Sequence, residues 1–319
     1  MAGNLPSTNK KGEFVKPDGE FRQWVTADGS SGFKAERDRY HLYMSYACPF
    51  ASRCLVGRKL KGLEDIIPIT SVDYIRLGEN GWSFTDKRPK CSLDPISNAK
   101  YLKDIYLKVN PNYTGRITVP VLWDKKTGTI VSNESAEILR MFNSAFNEFC
   151  ATDEQRNIDL YPEELREKID GVNEWVTPNI SNGVYRAGFA TTQEAYNEGV
   201  KGLFENLDKV EEILSKNRFL TGDRFTEADV RLFTTLVRFD TVYVGHFKCN
   251  KKRIVDYPNM WGYLKEIYQM KGISDTVDQD HIQQHYQVSH RHLNPNGIVA
   301  IGPDLDFNAP HGRENLVAN

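Results

Sequence analysis

The chain has 319 residues, 39% hydrophobic, 11% aromatic and 26% charged, and its 41 basic against 43 acidic residues leave a formal charge of −2. Such a composition buries a sizeable core and excludes wholesale disorder, the length favours two domains, and the balanced charge excludes a global field that would draw the protein onto nucleic acid or an anionic membrane. No apolar run approaches the roughly 20 residues that span a bilayer, the opening MAGNLPSTNKKGEFVKPDGE lacks the apolar segment of a secretory signal, and five cysteines are too few and odd for a disulfide scaffold, so a reducing, cytoplasmic setting is expected.

Residues 1–38, rich in Gly, Pro, Lys, Asp and Ser, read as an arm on the surface with Phe21 and Trp24 as anchors. The first strand is expected over Arg39–Met44, followed by the turn Ser45-Tyr46-Ala47 and a helix that opens at Cys48-Pro49 and runs to Leu60. Pro49 suits a first helical turn, where its missing N–H has no intrahelical partner to lose. Gly62 closes that helix, and Asp65–Thr70 reads as a second strand, which completes a strand–helix–strand unit with a cysteine at its first turn. Residues 74–99 form a polar insertion carrying Trp82, of a length that is uncommon for a plain connection.

A helix over Tyr101–Lys108 stops at Asn110-Pro111, and Ile117–Trp123 reads as a strand broken by Pro120. Proline is a poor guest in a central strand, so Val119-Pro120 points to an edge or a cis bond. Asp124–Gly128 is a hairpin turn into a strand at Thr129–Val131, after which Ser132 or Asn133 caps a helix beginning at Glu134. From about residue 155 strand signals fade and helical spacing covers 163–180, 193–215, 227–245 and 258–271. Thr226 and Asp229 fit a capping box. The expected organisation is an arm at 1–38, an α/β domain at 39–150, an all-α domain at 155–293 and a tail at 294–319.

The cysteine at the strand-to-helix turn is the sharpest chemical signal. A helix N-terminus presents unpaired N–H groups and partial positive charge, which favour thiolate over thiol. Ala51 stands where a dithiol oxidoreductase carries its second cysteine, and Cys54 lies on another face of the helix. No internal disulfide can then complete a redox cycle at Cys48, so an external thiol must do so. Cys91, Cys150 and Cys249 have no CxxC partner and are read as incidental. His281 and His285 have helical i, i+4 spacing, but no third ligand completes a set and no metal is expected. The basic run Lys248–Arg253, without interleaved aromatics, reads as a solvated helix end.

Ala47-Cys48-Pro49-Phe50-Ala51, Thr118–Asp124 and Asn133–Glu137 together resemble the glutathione transferase superfamily. Glu79–Phe84, Asn182–Ala190 and Arg238–Asn250 narrow the resemblance to the cysteine-type Xi class, the S-glutathionyl-hydroquinone reductases, over about residues 39–293. The resemblance implies a thioredoxin-like domain followed by an all-helical one, glutathione as co-substrate, small aromatic glutathionyl conjugates as substrates, and a homodimer. Cys48 would be the nucleophile. Val119 and Pro120 would pair with the glutathionyl cysteine, and Glu134 and Ser135 would hold the γ-glutamyl end. Trp82 would close over the tripeptide, and Arg116 would meet the glycyl carboxylate.

Tyr185, Tyr243 and Tyr286 would line an aromatic acceptor site between the domains, with Tyr185 or Tyr286 assisting the departing carbon. One departure is Phe50, where the family usually has Trp. An omega-like thioltransferase or dehydroascorbate reductase would use the same cysteine, and a non-enzymatic transferase-like protein would bind partners instead. A conjugating transferase is disfavoured by a cysteine at the nucleophile position.

Overall fold

The computed structural model describes residues 7–15 and 19–316, and the statements below concern those residues. In chain order the elements are β1 (Val25–Thr26), β2 (Phe33–Lys34), β3 (Tyr40–Met44), α1 (Pro49–Leu60), β4 (Ile69–Ser71), α2 (Leu102–Val109), β5 (Val121–Asp124), β6 (Thr129–Ser132) and α3 (Ser135–Ser144). Helices follow: α4 (Asp153–Asn157), α5 (Arg166–Val176), α6 (Gly183–Gly188), α7 (Gln193–Leu214), α8 (Glu227–Arg238), α9 (Pro258–Gln269) and α10 (Gln279–Ser289). The described residues divide into two compact units, 19–159 with 276–297, and 7–15 with 160–275 and 298–316.

The first unit is built on a four-stranded sheet in the order β4-β3-β5-β6. β3 runs parallel to β4, as a crossover through α1 requires, and antiparallel to β5. All five residues of β3 are buried, so this inner strand is covered on both faces. The Val119–Pro120 bond is cis and ends one residue before β5, an inner strand; the proline therefore marks the cis alternative rather than an edge. The second strand is shorter and later than expected. Ile66 and Ile67 reach the core from a turn, with the Ile67 N–H bonded to the Leu63 carbonyl, and the ladder begins where the Pro68 carbonyl accepts from Leu42 N–H at 3.0 Å.

Of the two anchors expected in the arm, Phe21 packs on aromatic rings of the first unit; residues 1–6 and 16–18 of the arm lie outside the described residues. Phe21 lies 5.7 Å from Tyr106 and 5.8 Å from Tyr113, while Gln23 N–H donates to the Val131 carbonyl at 2.9 Å on the outer edge of β6.

The insertion at 74–99 holds no helix or strand, and one carboxylate organises its end. Asp94 accepts from Tyr43 Oη and Ser97 Oγ, both at 2.7 Å, and from the backbone N–H groups of Ile96, Ser97 and Ala99, each at 3.0 Å. The sequence places 276–293 with the helical domain; the structure packs α10 into the first unit. The ring N–H of His281 donates to the Pro89 carbonyl at 2.8 Å, that of His285 donates to the Tyr74 carbonyl at 2.7 Å, and Lys90 pairs with Asp278 at 2.8 Å. The i, i+4 histidines thus dock a helix onto the insertion.

The second unit is helical. On α7 the buried Ala195, Gly199, Leu203, Leu207, Val210 and Leu214 keep one face turned inward, and Thr192 caps its start by accepting from Ala195 N–H at 3.2 Å. Every residue of α8 is buried. The Thr226–Asp229 capping box forms as expected, and Asp229 also accepts from Leu220 N–H and Tyr263 Oη, both at 2.9 Å. The helical reading of 163–180 and 227–245 is interrupted by π-helical turns at Thr177–Ser181 and Phe239–Tyr243.

The basic run 248–253 is irregular chain beyond the second π turn rather than a helix end, with Cys249 fully buried inside it. Near the C-terminus Arg313, 3% exposed, donates to the carbonyls of Asn217 (2.9 Å) and Arg218 (2.8 Å) just past α7, and meets Glu266 on α9 at 3.2 Å.

Burial acts to raise the Asp94 carboxyl, but its many donors outweigh that and hold it below the usual carboxylate range. With the folded value below the unfolded one, the stabilisation is full above about pH 4 and is lost as pH falls. Asp94→Asn should cost about 2 kcal/mol at neutral pH and should remove part of the wild-type loss of stability towards acid. Thermal unfolding followed from about pH 7 down to pH 3 checks both.

Candidate active site

Cys48 is the N-cap of α1, at φ −80° and ψ 119°, with Pro49 at the first helical position. The turn that delivers it is closed by Cys48 N–H donating to the Ser45 carbonyl at 3.1 Å. The Cys48 carbonyl accepts from both Ser52 N–H and Ser52 Oγ at 3.0 Å, so the residue is tied to the helix through its backbone. Its side chain makes no capping bond, which leaves the sulfur beside the positive end of the helix. Sγ lies 3.7 Å from the carbonyl oxygen of Val119, the residue before cis-Pro120. The ladder of β5 starts only at Val121, so Val119 stands ahead of the sheet.

Cys48 is half-buried, whereas Cys54, Cys150 and Cys249 are buried. Burial pushes the Cys54 thiol well up, with the Glu134 charge adding to it, and also raises the thiols of Cys91 and Cys150. Cys54 instead packs between helices, 3.7 Å from the Ser135 carbonyl on α3. Phe50, half-buried, has the Arg53 guanidinium 4.8 Å from its ring centroid, so an aromatic at this position carries a cation.

Glu134 and Ser135 lie at the start of α3, but the cap is Glu134 itself rather than Ser132 or Asn133. Its Oε1 accepts from Ala136 N–H at 3.3 Å, while Ser132 Oγ accepts from Glu134 N–H at 3.1 Å. Asn133 is occupied elsewhere, donating to Tyr106 Oη and accepting from Phe21 N–H, both at 3.2 Å. Ser135 is the first residue of the helix, in the turn whose N–H groups lack intrahelical partners.

Trp82 is 5% exposed and stacks on His285, with ring centroids 5.0 Å apart and planes at 16°. The Arg76 guanidinium lies 5.5 Å from the Trp82 ring, and Arg76 N–H donates to Ser289 Oγ on α10 at 2.9 Å. Burial pushes the Arg76 guanidinium down to about 10; the charge of Arg116 acts in the same direction and that of Cys48 opposes it. Arg76, Arg116 and Cys48 therefore share one electrostatic neighbourhood. Arg116 is exposed.

Sequence reading missed Arg76 and His285. The only trace of either was the histidine spacing on α10, and nothing local indicates that its partner is the Tyr74 carbonyl.

The three tyrosines fall into different surroundings. In the second unit Tyr185 and Tyr243 meet, with centroids 6.1 Å apart. Tyr185 is half-buried, but Tyr243 has no exposed surface and stacks on Phe247 at 5.5 Å. Tyr286 belongs to α10 in the first unit, is 1% exposed and packs edge-on against His290 at 5.4 Å.

Residues 47–145 match the family Glutathione S-transferase, N-terminal domain, and residues 193–266 match Glutathione S-transferase, C-terminal domain. The chain is 54% identical over 309 residues to the glutathionyl-hydroquinone reductase YqjG of Escherichia coli, covering 95% of this chain and 93% of the relative. It is 47% identical over 295 residues to the glutathionyl-hydroquinone reductase PcpF of Sphingobium chlorophenolicum, covering 92% and 90%. Among solved structures, glutathione-bound YqjG superposes with a TM-score of 0.89 at 54% identity, covering 92% of this chain and 96% of that one. The glutathione-S-transferase Xi of Phanerochaete chrysosporium gives 0.90 at 52%, covering 93% and 95%.

The exposure and burial of the five thiols set an order of reaction. With limiting iodoacetamide near neutral pH, Cys48 should carry the first label, at least about tenfold ahead of Cys91. Peptide mass mapping reads the order, and first labelling at Cys91 would contradict it.

Proposed function

The chain belongs to the glutathione S-transferase family, in its Xi class, and from that premise we propose that it reduces S-glutathionyl-hydroquinones with glutathione. In the first half-reaction the Cys48 thiolate attacks the glutathionyl sulfur of the conjugate. The Cys48–glutathione disulfide bond forms, the carbon–sulfur bond breaks, and its electron pair passes to the ring carbon, which takes up a proton and leaves as part of the hydroquinone. In the second, the thiolate of another glutathione attacks the glutathionyl sulfur of the mixed disulfide, giving oxidised glutathione and restoring Cys48. The hydroquinone hydroxyls account for the substrate class, since ring tautomerisation makes the departing carbon able to accept a proton. The cycle is ping-pong.

The observation that carries this reading is Cys48 at the first turn of α1, facing Val119 ahead of cis-Pro120, with alanine where an internal resolving cysteine would stand. Val119 pairs with the cysteinyl backbone of the tripeptide as an added strand would. Ser135 and the N–H groups of α3 take the γ-glutamyl carboxylate, and Glu134 takes the ammonium. Trp82 covers the tripeptide, and Arg116 supplies the cation for the glycyl carboxylate.

Of the tyrosines, Tyr185 offers surface to an acceptor, while the fully buried Tyr243 supports its ring from behind. Tyr185 or Tyr286 is the phenol that assists protonation at carbon. The protein works as a homodimer in a reducing, cytoplasmic setting, where free glutathione closes the cycle. No helix among the described residues is long and apolar enough to cross a membrane.

Cys48→Ser replaces a thiolate with a neutral hydroxyl, a far weaker nucleophile. Turnover of glutathionyl-menadiol should fall by more than about a hundredfold, with thermal stability retained. Undiminished turnover by the serine variant would refute the assignment.

A further inference from the structure

Three side chains of α10 meet the backbone of the 74–99 insertion from one face of the helix. His281, His285 and Ser289 stand at i, i+4 and i+8. They reach the Pro89 carbonyl at 2.8 Å, the Tyr74 carbonyl at 2.7 Å and the Arg76 N–H at 2.9 Å. For docking alone, any donor long enough would serve at the middle position. His285 does more, because the ring that donates to Tyr74 also stacks on Trp82.

The two contacts of His285 constrain one another. Its Nδ1–H lies in the plane of the imidazole, so the bond to the Tyr74 carbonyl fixes the rotation of the ring and the direction of its face. That face meets the indole with centroids 5.0 Å apart and planes at 16°, within the range of an offset stack. The backbone of Trp82 is fixed separately: its carbonyl accepts from Leu102 N–H at 2.9 Å, and Ser83 bridges Tyr101. What these bonds leave free is the rotation of the Trp82 side chain, and the His285 ring restricts it. The Arg76 guanidinium, 5.5 Å from the same indole, hangs from a backbone that Ser289 holds, so α10 sets both neighbours of Trp82. All of these residues, and Cys48 with them, belong to the first unit.

We propose that His285 is a positioning residue for the glutathionyl moiety: through the stack it sets the orientation of Trp82 and thereby the affinity for the tripeptide. The inference rests on the function proposed above, in the part that places Trp82 over the tripeptide. Loss of His285 then weakens every glutathionyl substrate alike, whatever group its sulfur carries. Small reagents that need only the Cys48 sulfur are spared.

The test uses the full chain with His285→Ala, His285→Gln and His285→Phe, with thermal midpoints recorded alongside. Each is assayed on glutathionyl-menadiol and on the mixed disulfide of glutathione with 2-mercaptoethanol, and Cys48 is alkylated with iodoacetamide. For His285→Ala, kcat/KM should fall about tenfold on both substrates, with kcat changed less than about threefold. Alkylation of Cys48 should change less than about twofold. His285→Phe, which keeps a flat face against the indole, should recover most of the loss; His285→Gln, which keeps a donor without the ring, should not. The emission of Trp82, obtained by difference from chains carrying Trp82→Phe, should become more accessible to acrylamide in His285→Ala.

An equal loss in alkylation would make His285 a support of the fold around Cys48 and overturn the proposal, as would unchanged kcat/KM on both substrates or unchanged quenching of Trp82. A wild-type protein inert towards glutathionyl-menadiol but active on the mixed disulfide would overturn the hydroquinone reading alone, and the tenfold loss on the disulfide would still support the role of His285.

Discussion

Everything in the proposed chemistry depends on one placement: the sulfur of Cys48 beside the N-terminus of α1, 3.7 Å from the carbonyl of Val119. The helix supplies partial positive charge and unpaired N–H groups beside the sulfur. The segment ahead of β5 supplies an unladdered backbone on which a peptide can lie. Neither half is sufficient alone. A helix N-terminus without the facing backbone has nothing to orient a glutathionyl sulfur, and the backbone without the cysteine would bind the tripeptide and leave its bonds intact. Burial keeps Cys54 and Cys150 out of the chemistry, so the mixed disulfide must wait for a second glutathione.

The segment that carries Trp82 and Arg76 is held by a distant part of the chain. Trp82 and Arg76 lie in an insertion without regular structure, yet both are held by α10 through the His285 stack and the Ser289 hydroxyl. His285 and the carbonyl it bonds are 211 residues apart in sequence. A segment without regular structure is thereby held in place in the free protein, and ordering costs already met there need not be met on binding a ligand. Asp94 serves the same end from the other side of the insertion by binding β3 and the loop backbone to one carboxylate.

How much of this was legible in the sequence follows from the range of the interactions involved. Cys48-Pro49 after a β-rich run, Gly62 at the helix end, and the Thr226–Asp229 box are local signals, and each marks a feature that forms where expected. The cap of α3 falls one residue past Asn133 and two past Ser132, because Glu134, normally a poor N-cap, bonds back to Ala136 N–H while Asn133 is drawn away by Tyr106 and Phe21. The unit boundary was misread for a different reason. QDHIQQHYQVS is a polar helix with few apolar positions, and the carbonyls that dock it occupy no motif.

The central claim is that Cys48 takes a glutathionyl group from an aromatic conjugate and surrenders it to free glutathione. Intact-mass measurement of the protein after brief exposure to glutathionyl-menadiol, before and after adding glutathione, tests this most directly. The expected result is a gain of one glutathione, mapped to Cys48, with menadiol released in equal amount and the adduct cleared on adding the thiol. An unchanged mass with menadiol nevertheless released, or an adduct on any other cysteine, would contradict it.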